Sequence, residues 1–221
     1  TSPRRLAGGA GDQTRPSIAY NATQQAYLVA WQDNTQDVDQ IRGQRVRGNG
    51  IPMGSQIALV ADESNAQDPT VAVRGDGYLV AWVDDRNGNA DIYARRLNGN
   101  ALPIGGTQGQ AYTLAATAID ELAPALNPAS GSLVYNVYDP LTGLDIVGVT
   151  VYDTGTTGGQ RPSGIAVPAA DQAGPVTASG GETVVVFSDN RSGEYDLYAV
   201  RVQNSRPKGR DYAVLKDGYA P

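Results

Sequence analysis

Side-chain oxygens recur at alternate positions in two stretches of this 221-residue chain, Asp85, Asn87, Asn89 and Asp91, and one repeat earlier Asp33, Thr35, Asp37 and Asp39. Such a series can wrap a hard cation such as Ca²⁺, which is bound through oxygen ligands. The pattern is not that of an EF-hand: Gly88 comes fourth rather than sixth from Asp85, and Arg96 stands where a bidentate Glu belongs. Asp and Asn in turns also satisfy backbone groups and tolerate left-handed dihedrals without any metal. Calcium is therefore the one cofactor the sequence suggests, set against a purely turn-forming role.

Carboxylates could also serve glycoside hydrolysis, which needs two acids about 5 to 10 Å apart across a pocket. Asp84, Asp85, Asp139, Asp189 and Asp196 lie in segments that recur along the chain. A residue present in every repeat usually serves the repeat, so none of these is singled out. The expectation is no catalytic residue and no enzyme. Other chemistry is excluded by composition: with no His and no Cys, there is no Ser-His-Asp or Cys-His nucleophile, no thiolate- or imidazole-bound metal and no disulfide.

Arg45, Arg96 and Arg201 recur at one position, where pairing with a nearby acid competes with sugar or carboxylate binding. Trp31, Trp82 and Phe187 recur at another, beside Tyr93 and Tyr198, and are read as core packing in preference to sugar platforms. Lys and Arg number 17 against 23 Asp and Glu, a net charge of −6, which argues against a nucleic-acid partner. No stretch approaches 18 consecutive apolar residues, so no membrane-spanning helix is expected. Acidity, many Gly and Pro, and the lack of Cys fit an extracellular or cell-surface protein. Asn21-Ala-Thr and Asn190-Arg-Ser are glycosylation triplets that arise readily by chance.

The elements that must carry these residues form a repeat. Tyr27-Leu-Val-Ala-Trp-Gln-Asp33 matches Tyr78-Leu-Val-Ala-Trp-Val-Asp84, then Ser132–Tyr138 and, with a one-residue shift, Glu182–Ser188. A further strand follows each at Ile41–Val46, Ile92–Leu97, Ile146–Val151 and Leu197–Val202, and a proline opens a short strand before each at Pro16, Pro69, Pro124 and Pro175. Fourth segments fall at Gln56–Val60, Tyr112–Ala115, Ser163–Val167 and Tyr212–Leu215. The middle of the third strand is small in every copy, Gly43, Ala94, Gly148 and Ala199, as expected where one sheet's backbone closely approaches the next. Four strands in a period of about 50 residues predict an all-β propeller of four antiparallel blades, at about 16–68, 69–123, 124–174 and 175–221, in a single domain.

Tyr-Leu-Val-Ala-Trp-x-Asp followed by Asp85-Arg-Asn-Gly-Asn-x-Asp-Ile-Tyr-Ala-Arg-Arg-Leu97 resembles the repeat of secreted and cell-surface bacterial and archaeal β-propellers, distantly similar to TolB-type blades. Repeat three departs from it, with Asn136 for the Trp and Pro140 for the Arg. The resemblance implies a fold and little about function, since propellers host unrelated activities.

Residues 1–15 read as a spare outer strand, Arg4–Ala7, and loop, and both ends look cut in mid-pattern, as in an excised repeat unit. Unpaired edges template pairing with other chains. The reading from sequence is thus an extracellular structural or adhesive propeller that self-associates through its terminal strands, as the subunit of a fibre, tandem array or surface layer. The alternative is a lectin-like propeller with a glycan ligand.

Overall fold

The computed structural model describes residues 3–35, 38–60, 65–105, 110–166 and 170–209, with the backbone of 212–213. The fold is the four-bladed β-propeller that the repeat predicts, every sheet antiparallel and its first four strands paired in sequence order in blades 1 and 3 and, apart from the split outer strands, in blades 2 and 4. Blade 1 holds β1 (Gln13–Asn21), β2 (Ala26–Asp33), β3 (Gln40–Arg47) and β4 (Pro52–Val60); blade 2 holds β5 (Ala66–Arg74), β6 (Gly77–Asp84), β7 (Asp91–Leu97), β8 (Pro103–Ile104) and β9 (Tyr112–Ala115). Blade 3 is β10 (Glu121–Leu126), β11 (Ser132–Asp139), β12 (Gly143–Thr150) and β13 (Ser163–Ala166). Blade 4 is β14 (Gln172–Ser179), β15 (Thr183–Asp189), β16 (Asp196–Gln203), β17 (Arg206–Pro207) and β18 (Tyr212–Ala213). In blades 2 and 4 the outer strand is split, both pieces pairing with the third strand. Among the described residues no helix is long and apolar enough to cross a membrane.

The chain divides into two compact units, residues 1–118 with 153–156, and residues 119–152 with 157–221. In the first, Leu28, Ala30, Ile41 and Leu59 of blade 1 meet Val71, Tyr78, Val80, Trp82 and Leu97 of blade 2 in one core. In the second, Val134, Ile146 and Ile165 of blade 3 meet Val185, Phe187, Val200 and Val202 of blade 4. Trp82 is 0% and Phe187 1% exposed, so the recurring aromatics are core, as expected. Fully burying such a side chain contributes roughly 1.5–3 kcal/mol of transfer free energy.

Two sequence readings are corrected by register. The small third-strand residues face Ala30, Ala81, Val134 and Val186 across the pair, which slides repeat three by one. Tyr135, not Asn136, therefore occupies the Trp position, and Val137 stands where the other blades have Asp33, Asp84 and Asp189. The small residue is also required for more than one reason. A Cβ on Gly43 would lie 2.8 Å from Leu59 of its own blade, and one on Gly148 would lie 3.0 Å from Ile165 of its own blade and 3.2 Å from the backbone oxygen of Ser205 in blade 4.

Arg4–Ala7 is not a strand. Leu6 and Ala7 pack instead on Val29, Trp31 and Val46, and the Leu6 carbonyl accepts a hydrogen bond from Gln56 Nε2 at 3.3 Å. Two apolar side chains thus find cover within their own unit, where a polar edge had been expected to seek another chain. The fourth segment of blade 4 is described only at 212–213; the rest of its expected span lies outside the described residues.

Each first strand carries the same irregularity. The register slips between Thr14 and Ser17, Gln67 and Thr70, Leu122 and Ala125, and Ala173 and Val176. The residue before the proline is left-handed in all four: Arg15 (φ 51), Asp68 (φ 50), Ala123 (φ 49) and Gly174 (φ 59). Only Gly adopts that region freely, and side chains there cost of the order of 1–2 kcal/mol. A β-bulge that recurs with the repeat is a built feature which re-aims its side chains. Ala123→Gly should therefore stabilise the chain by about 1 kcal/mol, read as a raised denaturation midpoint at unchanged slope.

Candidate functional site

The recurring acids are committed to the blades. In blade 2, Asp84 Oδ2 accepts the Trp82 indole N–H at 3.0 Å, and Asp84 Oδ1 accepts the Arg86 backbone N–H at 3.0 Å and its Nε at 2.7 Å. Arg86 Nη2 completes the fork on Asp84 Oδ2, and its guanidinium lies 4.4 Å from the Tyr93 ring centroid. Blade 4 repeats this with Asp189, Arg191 and Tyr198, the cation 4.2 Å from the ring. In blade 1 Asp33 accepts from Trp31 Nε1 at 3.3 Å and Thr35 N at 3.1 Å. Burial pushes the Asp33 carboxyl up, but the hydrogen bonds of Thr35 and Trp31 and the Arg42 charge outweigh it and hold it below the ordinary carboxylate range. These acids are spent on hydrogen bonds and are not placed to meet a substrate.

The calcium-type series is laced by amide donors. Asn87 Nδ2 donates to Asp91 Oδ2 at 3.1 Å and Asn89 Nδ2 to Asp91 Oδ1 at 3.2 Å, while Asn65 donates to both oxygens of Asp85. In blade 1 Asp39 Oδ2 accepts from Gln67 Nε2 at 3.1 Å, and Asp37 lies outside the described residues. Among the described residues no group of three or more acids converges as a metal site would require. A cation bound at 85–91 would have to turn both asparagine amides around.

Of the recurring arginines, Arg201 reaches an acid, Glu182, at 3.2 Å, whereas Arg45 Nη1 donates to Asn100 Oδ1 of blade 2 at 3.0 Å. The stem of Arg96 lies where a Cβ on Gly155 would come, 2.7 Å away.

Blade 3 breaks the pattern. Its clasp position is Val137, and the carboxylates sit on the flanking strands, Glu121 and Asp145, each directly across from Val137. Glu121 is 0% and Asp145 4% exposed. Burial pushes the Asp145 carboxyl up, and Asp139 adds to this, against the Thr142 hydroxyl that donates to its Oδ2 at 2.6 Å. Burial also pushes the Tyr135 phenol up, with the Glu121 charge adding. Two acids on the strands either side of β11 resemble a hydrolytic pair, but both are buried.

Exposed chemistry lies at the first-strand bulges, which sequence reasoning did not single out. Arg15 and Asp68, the left-handed residues of blades 1 and 2, form an ion pair across the two strands. Further along β1, Ile18 and Tyr20 are 61% and 48% exposed, and Tyr20 lies 4.7 Å from Tyr27, ring to ring. The legible signal was the residue preceding each recurring proline, a position normally driven to extended backbone.

No family model matches the chain, and no curated protein sequence matches it. Solved structures do. A thermostable family-43 glycoside hydrolase superposes with a TM-score of 0.59 at 12% identity, over 93% of this chain and 77% of that one. An endo-arabinase from Bacteroides thetaiotaomicron gives 0.56 at 11% identity, over 89% and 80%. A GH43_1 enzyme from Xanthomonas citri complexed with xylose gives 0.59 at 10% identity, over 90% and 74%. At these identities the likeness shows the fold alone.

These neighbours overturn two expectations, a structural or adhesive fibre module and a chain that is no enzyme. The fold is one that glycoside hydrolases carry. The physical reason for the error is that the acids recurring in sequence are those consumed by the blades, so a search for a distinctive acid among them finds none.

Two outcomes follow. The folded-state pKa of Asp145 is raised, so its stabilising contribution is full when protonated, below the ordinary value of 3.8, and is lost as pH rises through the folded value. Asp145→Asn keeps an acceptor for Thr142 and should raise the urea midpoint above that window while matching the wild type below it. If the series at 85–91 holds calcium, Ca²⁺ should raise the melting temperature over an EDTA control, and Asp91→Asn should abolish the difference; coincident melting curves reject the site.

Proposed function

We propose that this chain is a carbohydrate-active β-propeller that holds a glycan along the first strands of blades 1 and 2. The observation that carries this reading is the Arg15–Asp68 ion pair, built from two residues held in left-handed backbone at matching bulges. Strained backbone of this kind persists only where its surroundings over-determine it, and it concentrates at binding and catalytic sites. A guanidinium and a carboxylate side by side offer donors and acceptors to vicinal sugar hydroxyls. The exposed Tyr20 ring, paired with Tyr27, offers an apolar face with a polar tip to a sugar ring.

Support comes from the glycoside hydrolase neighbours, whose fold this chain shares, and from the extracellular setting expected from composition, where polysaccharides are met. Bond cleavage needs two carboxyl groups about 5 to 10 Å apart, and Asp68 is the acid these bulges present for one of those roles.

The test uses arabinan and xylan, polymers of the kinds the neighbours' names indicate. Affinity electrophoresis and reducing-end release are measured for the whole chain and for Asp68→Asn, Arg15→Gln and Tyr20→Ala. Retarded migration that each variant weakens about ten-fold, as loss of one charged hydrogen bond predicts, supports the site. Release of reducing ends that Asp68→Asn abolishes identifies an enzyme. Migration equal in wild type and all three variants, with no release, sinks the proposal.

A further inference from the structure

The second unit holds a cleft of about 640 Å³ between blades 3 and 4, lined by Thr150, Gln160, Arg161, Ser163, Asn204 and Arg206, among others. It lies where the repeat fails. Blade 3 replaces the first half of its outer strand with the loop 151–162, and blade 4 makes its matching turn with only Asn204 and Ser205 between β16 and β17. Both turn residues are left-handed, φ 51 and 57, as a two-residue type I′ hairpin requires. The floor is fixed: Ser205 is 3% exposed, and its hydroxyl meets Ser132 Oγ and Thr150 Oγ1 at 3.1 Å each.

The cleft gathers positive charge. In a protein of net charge −6, Arg161, Arg206 and Lys208 all line it. Lys208 is bound to Glu182 at 2.7 Å, in an adjoining hollow of about 530 Å³ that shares Gln203, Asn204 and Lys208. Neither Arg161 nor Arg206 has an acid partner among the described residues. The rest of the wall sets amides and hydroxyls beside Gly148, Val149 and Pro207. Tyr152, 45% exposed, stands next to the wall, its hydroxyl accepting from the lining Gln160 Nε2.

We propose that this cleft binds an acidic oligosaccharide, its anionic group held by Arg161 and Arg206 and a sugar ring set against Tyr152. A guanidinium fork matches a carboxylate or sulfate oxygen pair and is less costly to desolvate than an ammonium. The surrounding amides and hydroxyls suit sugar hydroxyls, and the chain's overall negative charge disfavours a nucleic acid as the anion. The inference rests on the carbohydrate reading but concerns a separate site.

Titration calorimetry on the whole chain tests it with three probes: trigalacturonic acid, its fully methyl-esterified and hence neutral form, and a sulfated disaccharide. Binding of either acidic probe that weakens with added salt, and that falls about ten-fold or more in Arg161→Gln/Arg206→Gln, supports the proposal; which acid binds identifies carboxylate or sulfate ester as the source. Recovery in Arg161→Lys/Arg206→Lys to less than the wild-type affinity supports the fork geometry. Both side chains are exposed, so the melting temperature of these variants should stay unchanged. No binding of either acid, equal binding of the neutral ester, or an unaffected double variant overturns it. A chain that retains arabinan or xylan through Arg15 and Asp68 while ignoring both acids fails here alone, and one that binds an acid but no neutral polymer fails only the earlier reading.

Discussion

One carboxylate in each of three blades organises most of this structure. At the end of the second strand Asp33, Asp84 and Asp189 each accept bonds from the residues around them, and in blades 2 and 4 an arginine two residues later closes on the same oxygens and lies over a tyrosine of the third strand. Aromatic core, hairpin loop and surface cation are thereby tied to one point. Buried charge persists only when it is paired and its hydrogen bonds are met. Asp84 and Asp189, both 0% exposed, meet that condition through a neighbouring guanidinium.

That constraint decides where chemistry can sit. A carboxylate already receiving three or four donors has little capacity for a substrate, so the acids that recur are removed from consideration. Blade 3 shows what happens without the clasp. Val137 takes the aspartate's place, Glu121 and Asp145 appear on either side of it, and the phenol of Tyr135 is pushed up by burial and by the Glu121 charge. The blade encloses these groups, and burial penalises the charged form of Asp145.

Exposed polar groups collect instead where strand geometry is disturbed. The four bulges disturb the inner strands in step with the repeat, and in the first unit two of them present Arg15 and Asp68 to each other. The cleft of the second unit arises where the repeat is interrupted, between a long loop in blade 3 and a tight turn in blade 4. One site thus uses the symmetry of the repeat and the other its failure.

The sequence by itself determined the blades. Period-2 alternation, prolines opening the first strands and Gly- and Asn-rich turns are local properties, and they placed nearly all the strands, the buried aromatics and the small third-strand residue. Register in repeat three was beyond it, because Ser132–Tyr138 aligns without a gap by residue type, and only cross-strand pairing with Gly148 puts Tyr135 in the tryptophan's place. The spending of the repeated acids, the meeting of Arg15 with Asp68 and the gathering of Arg161 with Arg206 were decided by tertiary structure. Each depends on residues about 45 or more positions apart, or on neighbours competing for one carboxylate, and no local pattern carries that information.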